Sequence, residues 1–315
     1  MKKIISVFLT FLFLSGSILS SQTFSDSVYY KRLYYAGKVW GFLKYFHSEV
    51  AKGNKNWDKQ LFIALEKVKN DESNDDFNNT LLALIDSAGT MEKSNTVLPN
   101  IPDSLKFNLD FSWFKSSIFL DTTTSMLDTI RSWFRPQSNY YVGEAFQDGN
   151  PTFDNDAQFY EWGINEADEE HRLLALFRYW NIINYFYPYK NIIDQNWDST
   201  LVEFIPKIIN AVNAKSFHLS FLELTTRIND SHAYTNSHEI ANAIRGYYFL
   251  PFTLKFIEDE TVITGVFINS NDIKAGDIIK SINNISIYTI RDSLRKYRAG
   301  SNISAIERNV NTDNG

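Results

Sequence analysis

Apolar side chains at Leu173, Leu176, Phe177, Trp180, Ile183 and Phe186 recur at three- and four-residue spacings, which puts one apolar stripe on a helix. Pro188 stops that helix, because proline has no amide hydrogen and its ring crowds the preceding turn. Asp198 stands where an N-cap is expected. Leu201, Ile205, Ile208, Ile209 and Val212 mark a second helix, bent at Pro206. A third starts near Ser216 and runs through Phe217, Leu222, Leu224 and Ile228. The same order occurs earlier, at an offset of 140 residues. Arg32-Leu33, Trp40, Tyr45-Phe46 and Asn56-Trp57-Asp58 recur as Arg172-Leu173, Trp180, Tyr185-Phe186 and Asn196-Trp197-Asp198. The register holds without a gap to Leu84 and Leu224, so a duplicated helical domain is expected over residues 28–90 and 171–238. Trp57 and Trp197 then read as residues that pack helix ends.

Residues 91–170, between the copies, carry Pro99, Pro102, Pro136, Pro151 and the polar run Gln147 to Gln158. One helix is expected from Thr124 to Phe134, with loops and short elements around it. After His238 the apolar period shortens to two. Tyr247 to Ile257 and Thr261 to Ile268 read as strands joined at Glu258-Asp259-Glu260. Gly276-Asp277 leads into Ile278 to Ile282, Asn283-Asn284 makes a tight turn, and Ile285 to Ile287 returns. Thr289 to Tyr297 reads as a helix ended by Gly300. Residues 301–315 fade into an Asn-rich linker. The expected fold class is α+β.

Composition narrows the function. Lys2 and Lys3 precede an apolar run from Ile4 to Leu14, broken only by Ser6 and Thr10, and small residues follow to Ser21. Residues 1–21 therefore read as a secretory signal, too short for a comfortable membrane-spanning helix. The expected location is periplasmic or extracellular, with no membrane association after cleavage. With no cysteine in the chain, lipidation, thiol nucleophiles and zinc–thiolate sites are excluded. A net charge of −6 without a basic block gives nucleic-acid binding no support. Aromatic residues make up 16% of the chain; helix packing accounts for them, and a glycan-stacking surface is the alternative.

The most compact acid–base chemistry is Asp230-Ser231-His232, where the helical pattern gives way to the strand pattern. An imidazole titrates near pH 6.5 and can take a proton from a serine while a hydroxyl or carboxylate orients its other nitrogen. A lone histidine after a helix is more often a capping or packing residue, and both readings stand on spacing alone. His47, His171, His218 and His238 show no metal-ligand spacing.

Two resemblances sharpen this reading. Ile273-Lys274-Ala275-Gly276-Asp277, followed by Ile278 to Ile282 and Asn283-Asn284, resembles the most recognisable stretch of PDZ domains. It implies a small β-barrel over residues 245–300 whose groove adds a peptide as an extra strand. Leu250, Pro251 and Phe252 would lie where the peptide terminus is held, although Phe249-Leu250-Pro251-Phe252 is not the Gly-rich loop of that family. The paired aromatic helices, the run Asp230-Ser231-His232-Ala233-Tyr234 and the PDZ-like unit together resemble the C-terminal-processing, or tail-specific, serine peptidases, closest to their tricorn-like branch.

That resemblance implies peptide-bond hydrolysis by serine acyl transfer, with His232 as base and Ser231 as its orienting partner. It implies a polypeptide substrate and no metal or organic cofactor. The family carries its nucleophilic serine and oxyanion hole in a crotonase-like domain after the PDZ unit, and this chain stops at Gly315, about where that domain should begin. The expectation is an N-terminal portion, inactive alone. The alternative is a non-catalytic exported adaptor that binds peptide tails.

Overall fold

The computed structural model describes residues 27–93, 95, 101–102, 105–106, 108–134, 138–143, 150–157, 165–235, 237, 240, 250–268 and 272–312. The expected leader at 1–21, and the part of the first expected strand before Leu250, lie outside them. The architecture is mixed, with helices through most of the chain and small antiparallel sheets near its C-terminal end. The chain divides into two compact units, Met1–Ile164 with Leu173–Pro188, and Asn165–Arg172 with Tyr189–Gly315. A boundary is expected at residue 171; the division instead runs through a helix, leaving most of it in the first unit.

The first unit is built on α1 (27–46), which is apolar nearly all round and buried accordingly: Leu33, Val39, Trp40, Phe42 and Leu43 are all fully enclosed. A single turn, α2 (Ser48–Ala51), follows, then α3 (Trp57–Asn70) and α4 (Asn74–Ala88), which pack on each other. Asn56 caps α3 by accepting from the Lys59 amide at 3.0 Å. Ser73 and Asp76 close α4 with a reciprocal capping box. The indoles of Trp40 and Trp57 each donate to the other residue's carbonyl at 3.1 Å, so Trp57 sits buried at the start of α3. α5 (Asp121–Trp133) packs on α4, three residues earlier in start than the pattern predicts.

Residues 173–186 of α6 (Glu169–Phe186) complete this unit and cross α1 closely. Gly37 meets Phe177, Gly41 meets Asn181, and the rings of Tyr45 and Tyr185 are 5.7 Å apart. Each pair joins positions 140 residues apart. A β-carbon on Gly37 would stand 2.5 Å from the Phe177 ring, and one on Gly41 would overlap the Asn181 amide. The Asn181 amide in turn donates to the Gly37 carbonyl at 3.1 Å. Gly41→Ala is expected to lower stability by about 1–3 kcal/mol, despite alanine's better helix propensity. A urea midpoint at or above wild type would contradict this packing.

The second unit begins with the α7 (Trp197–Ile209) and α8 (Ala214–Thr226) hairpin. The cap of α7 is Asn196, whose side chain accepts from the Ser199 amide at 3.1 Å. Asp198, the expected cap, lies inside the first turn, because the chain turns helical after Asn196, whose extended backbone and side-chain oxygen meet the Ser199 amide. Arg172 closes the other end, donating to the Ile208 and Ile209 carbonyls at 3.1 and 3.0 Å. Pro206 lies inside α7, as expected.

Strands β1 (Phe252–Ile257), β2 (Glu260–Val266) and β3 (Ile278–Ile279) form an antiparallel sheet in that order. β4 (Ser281–Ile282) and β5 (Ile285–Ser286) form a separate hairpin. Both hairpin turns use left-handed residues: φ is 48° and 65° at Glu258 and Asp259, and 51° and 64° at Asn283 and Asn284. α9 (Ile287–Arg295) follows, two residues ahead of its expected start. The Asn-rich segment expected as a linker instead carries α10 (Ile303–Thr312), with Asn302 accepting from the Ala305 amide at 2.9 Å. Ile303, Ile306 and Val310 give it helical spacing, and Glu307 pairs with both Arg291 and Arg295 to hold it on α9. Among the described residues, no helix is long and apolar enough to cross a membrane.

Candidate functional site

α8 delivers the Asp230-Ser231-His232 turn. Arg227 ends the helix, and Asn229 turns the chain through the left-handed region at φ 54°. Asparagine tolerates that backbone better than most residues. Its side chain is anchored to Asp194, accepting from the amide at 3.2 Å and donating to the carboxylate at 2.9 Å. Gln195 donates to the Arg227 carbonyl at 3.0 Å, so the loop before α7 braces the end of α8.

The turn closes through the Ala233 amide, which donates to the Asp230 carbonyl at 3.0 Å. Asp230 Oδ1 accepts from the His232 amide at 2.9 Å and lies 2.9 Å from ring Nδ1. One carboxylate thus shapes the backbone and orients the imidazole, as in an Asx-turn. Ser231 is half-buried in the same turn, and the oxygen that reaches Nδ1 is Asp230's rather than its own. The His232 side chain is 96% exposed, open to solvent rather than set in a cleft. Among the described residues Nε2 makes no hydrogen bond, so the ring presents one nitrogen outward with the other held. This arrangement can accept a proton at Nε2 while the carboxylate stabilises the resulting imidazolium.

Leu250, Pro251 and Phe252 lie at the start of β1, an edge of the three-stranded sheet among the described residues. The Pro251 carbonyl accepts from the Phe267 amide at 2.9 Å, which extends the β1–β2 ladder by one step. Leu250 and Phe267 remain exposed beside it. No described group of three or more histidine or carboxylate side chains is arranged to hold a metal ion.

A second cluster, in the first unit, has no counterpart in the motif reading. Lys44 on α1 is fully buried and pairs with Asp156, while Arg178 on α6 pairs with Asp58 on α3. The Lys44 ammonium also lies 5.1 Å from the Trp40 ring centroid and 4.5 Å from that of Tyr141. Burial pushes the Lys44 pKa down, against the pull of Asp156 and Asp58. Burial pushes Asp58 up, against Arg178 and Lys44. The signal that could have exposed it is a lysine amid an otherwise apolar stretch, Trp40 to Tyr45. Lys44 is buried and Asp156 is largely so, which suits a cluster that ties α1 to the 150–157 segment.

No protein-family profile matches the chain, and no curated protein matches it.

Proposed function

We propose that this chain is the helical and PDZ-like N-terminal portion of an exported serine peptidase of the C-terminal-processing family, tricorn-like branch. The observation that carries the reading is the His232 ring, held at Nδ1 by Asp230 at 2.9 Å and exposed at its other nitrogen. Nε2 would take the hydroxyl proton of a nucleophilic serine as its oxygen adds to the peptide carbonyl carbon. The same proton would then pass to the leaving amine as the C–N bond breaks. Asp230 would keep the ring in the tautomer this requires, a role the family resemblance assigns to Ser231. Among the described residues no serine hydroxyl bonds to Nε2, so the nucleophile and oxyanion donors would come from a crotonase-like domain outside them.

Two features support the domain assignment. Helices α1, α3 and α4 start and stop at positions close to 140 residues before those of α6, α7 and α8, with an asparagine cap at Asn56 and Asn196. The pairs Gly37–Phe177, Gly41–Asn181 and Tyr45–Tyr185 join equivalent positions, as two copies of one helix packed in register would. For the PDZ-like unit, Gly276 takes φ 97° and donates to the Ile263 carbonyl at 2.8 Å, seating the Gly-Asp turn against β2. That backbone favours glycine.

The test is peptidase activity of the product read through the codons following 315, with and without His232→Ala. Loss of at least about 100-fold in kcat/KM with a retained fold is expected. Full activity in the variant, or no serine-bearing domain downstream, would sink the reading. The position of β1 at an edge among the described residues favours a second reading, an exported adaptor that adds a peptide tail as a strand. It predicts saturable binding of C-terminal peptides by the 315-residue chain without hydrolysis.

A further inference from the structure

A cavity of about 520 Å³ opens in the first unit between the end of α4 and the last turns of α5. Its volume falls within the range of small-molecule sites, roughly 300–1,000 Å³. His47, Asp86, Met91, Met126, Ile130 and Trp133 are among its lining residues. Three features define what could enter. The wall is largely apolar, with two flexible thioethers that adapt to irregular shapes and one indole face. His47 is only 2% exposed, and its Nδ1 has no hydrogen-bond partner. Burial lowers its pKa to about 4, so it adds no positive charge at neutral pH.

Charged groups of both signs stand around the cavity. Among the described lining residues Asp86 is the one with a carboxyl side chain, and it is exposed. The C-terminal ends of α4 and α5 both border it, and the end of α5 favours a cation. Lys55 stands beside Gly89, but its ammonium already donates to the Ser87 and Ala88 carbonyls, both at 2.8 Å. Glu49 lies on the same side and pairs with Lys52 at 2.6 Å. Gly89 itself, at φ 97°, ends α4 without a side chain to fill the space.

We propose that this cavity binds small organic amines with an aromatic or alkyl body: the body seats against Met91, Met126 and Ile130, and the ammonium sits between Asp86 and the face of Trp133. The site is separate from His232 and does not depend on the peptidase reading. Phenethylamine, 2-phenylethanol and 3-phenylpropionate share a body and differ in charge, so titrating each into the full chain at pH 7 by calorimetry isolates the rim. Phenethylamine should bind saturably, the alcohol about tenfold more weakly, and the acid not at all. Asp86→Asn, an exposed change that spares the core, should remove the amine's advantage over the alcohol. Met126→Trp should fill the cavity and abolish binding of both while the thermal midpoint is kept; if that variant unfolds, the Asp86→Asn comparison decides. Absent amine binding, an acid that binds as well as the amine, or an unchanged preference in Asp86→Asn would each overturn the proposal.

Discussion

Asp156→Ala is expected to lower the unfolding free energy at pH 7 by about 3–5 kcal/mol, because it strands a buried ammonium. Lys44 has no exposed surface, and Asp156 is its direct ionic partner. Without that carboxylate Lys44 must either stay charged in an apolar wall of Trp40, Tyr45 and Tyr141 or give up its proton, and both cost free energy. Burial already lowers its pKa, so the second route is partly prepared. Replacing both partners by residues of similar volume, Lys44→Met with Asp156→Leu, removes both desolvation penalties. The double variant should recover most of the loss, leaving a coupling of about 2 kcal/mol or more between the sites. Urea unfolding of wild type, Lys44→Met, Asp156→Leu and the double variant measures the coupling. A cost below about 1 kcal/mol for Asp156→Ala, or strict additivity, would show that the pair contributes little.

The alternative outcome, local release of the segment carrying Asp156, is separable. Residues 150–157 are also tied by Gly143 donating to the Thr152 carbonyl at 2.8 Å and by Asn155 donating to the Tyr140 carbonyl at 2.7 Å. The Phe153 ring packs edge-on against Phe186 at 5.2 Å. Local release would give rapid proteolytic cutting there with an unchanged urea midpoint, whereas global destabilisation moves the midpoint itself.

Lowering the pH from 7 to 4 should cost roughly 3 kcal/mol of stability through His47 alone. Burial lowers the folded-state pKa of this ring from 6.5 to about 4, opposed by Glu49 and assisted by Lys55. The unfolded chain therefore takes up the proton near pH 6.5, while the folded chain refuses it until about pH 4. The contribution is complete above 6.5 and lost as pH falls through that window. Asp58 runs the other way, since burial raises its pKa and its contribution is lost as pH rises. The measurement is consequently a difference: His47→Leu against wild type across pH 4–7, which cancels the other titrating groups. The variant should be the less pH-sensitive protein, and parallel curves would remove His47 as the source. His47→Leu also removes the ring's hydrogen bond with the Gly89 backbone, so the slope with pH, not the stability at pH 7, is the quantity compared.

Much of the chain's organisation follows from local rules. The stripe from Leu173 to Phe186 becomes α6, and the turns Glu258-Asp259 and Asn283-Asn284 form where tight-turn residues stand between apolar runs. Structure and local pattern differ where two local signals compete. Asn196 and Asp198 can both cap α7, and which one does depends on where the preceding loop delivers the chain. α10 carries Asn309 and Asn311 amid helical spacing, and their low helix propensity outweighed the pattern. Asn309 lies in α10 with its amide donating to the Ala299 carbonyl at 2.8 Å, a gain invisible before the chain folds back.

His232 could be singled out from the sequence because histidine is the residue type that changes charge near neutral pH. Its partner could not. Asp230 and Ser231 are both adjacent, and the choice between them rests on the left-handed Asn229 and its tie to Asp194, 35 residues earlier. The Lys44–Asp156 and Asp58–Arg178 pairs span 112 and 120 residues, so no local pattern encodes them.

The sequence by itself determined the 140-residue periodicity, the change of period after His238 and the position of an ionisable turn between them. The helical stripe that recurs, the change of period and the turn each depend on neighbours within a few residues, where sterics and apolar spacing dominate. Only the tertiary structure decided which carboxylate holds His232, that Lys44 and Asp156 meet in a largely buried site, and that α4 and α5 leave a cavity at their ends. Those outcomes depend on burial, which sets the worth of every charge and is created only when distant segments meet.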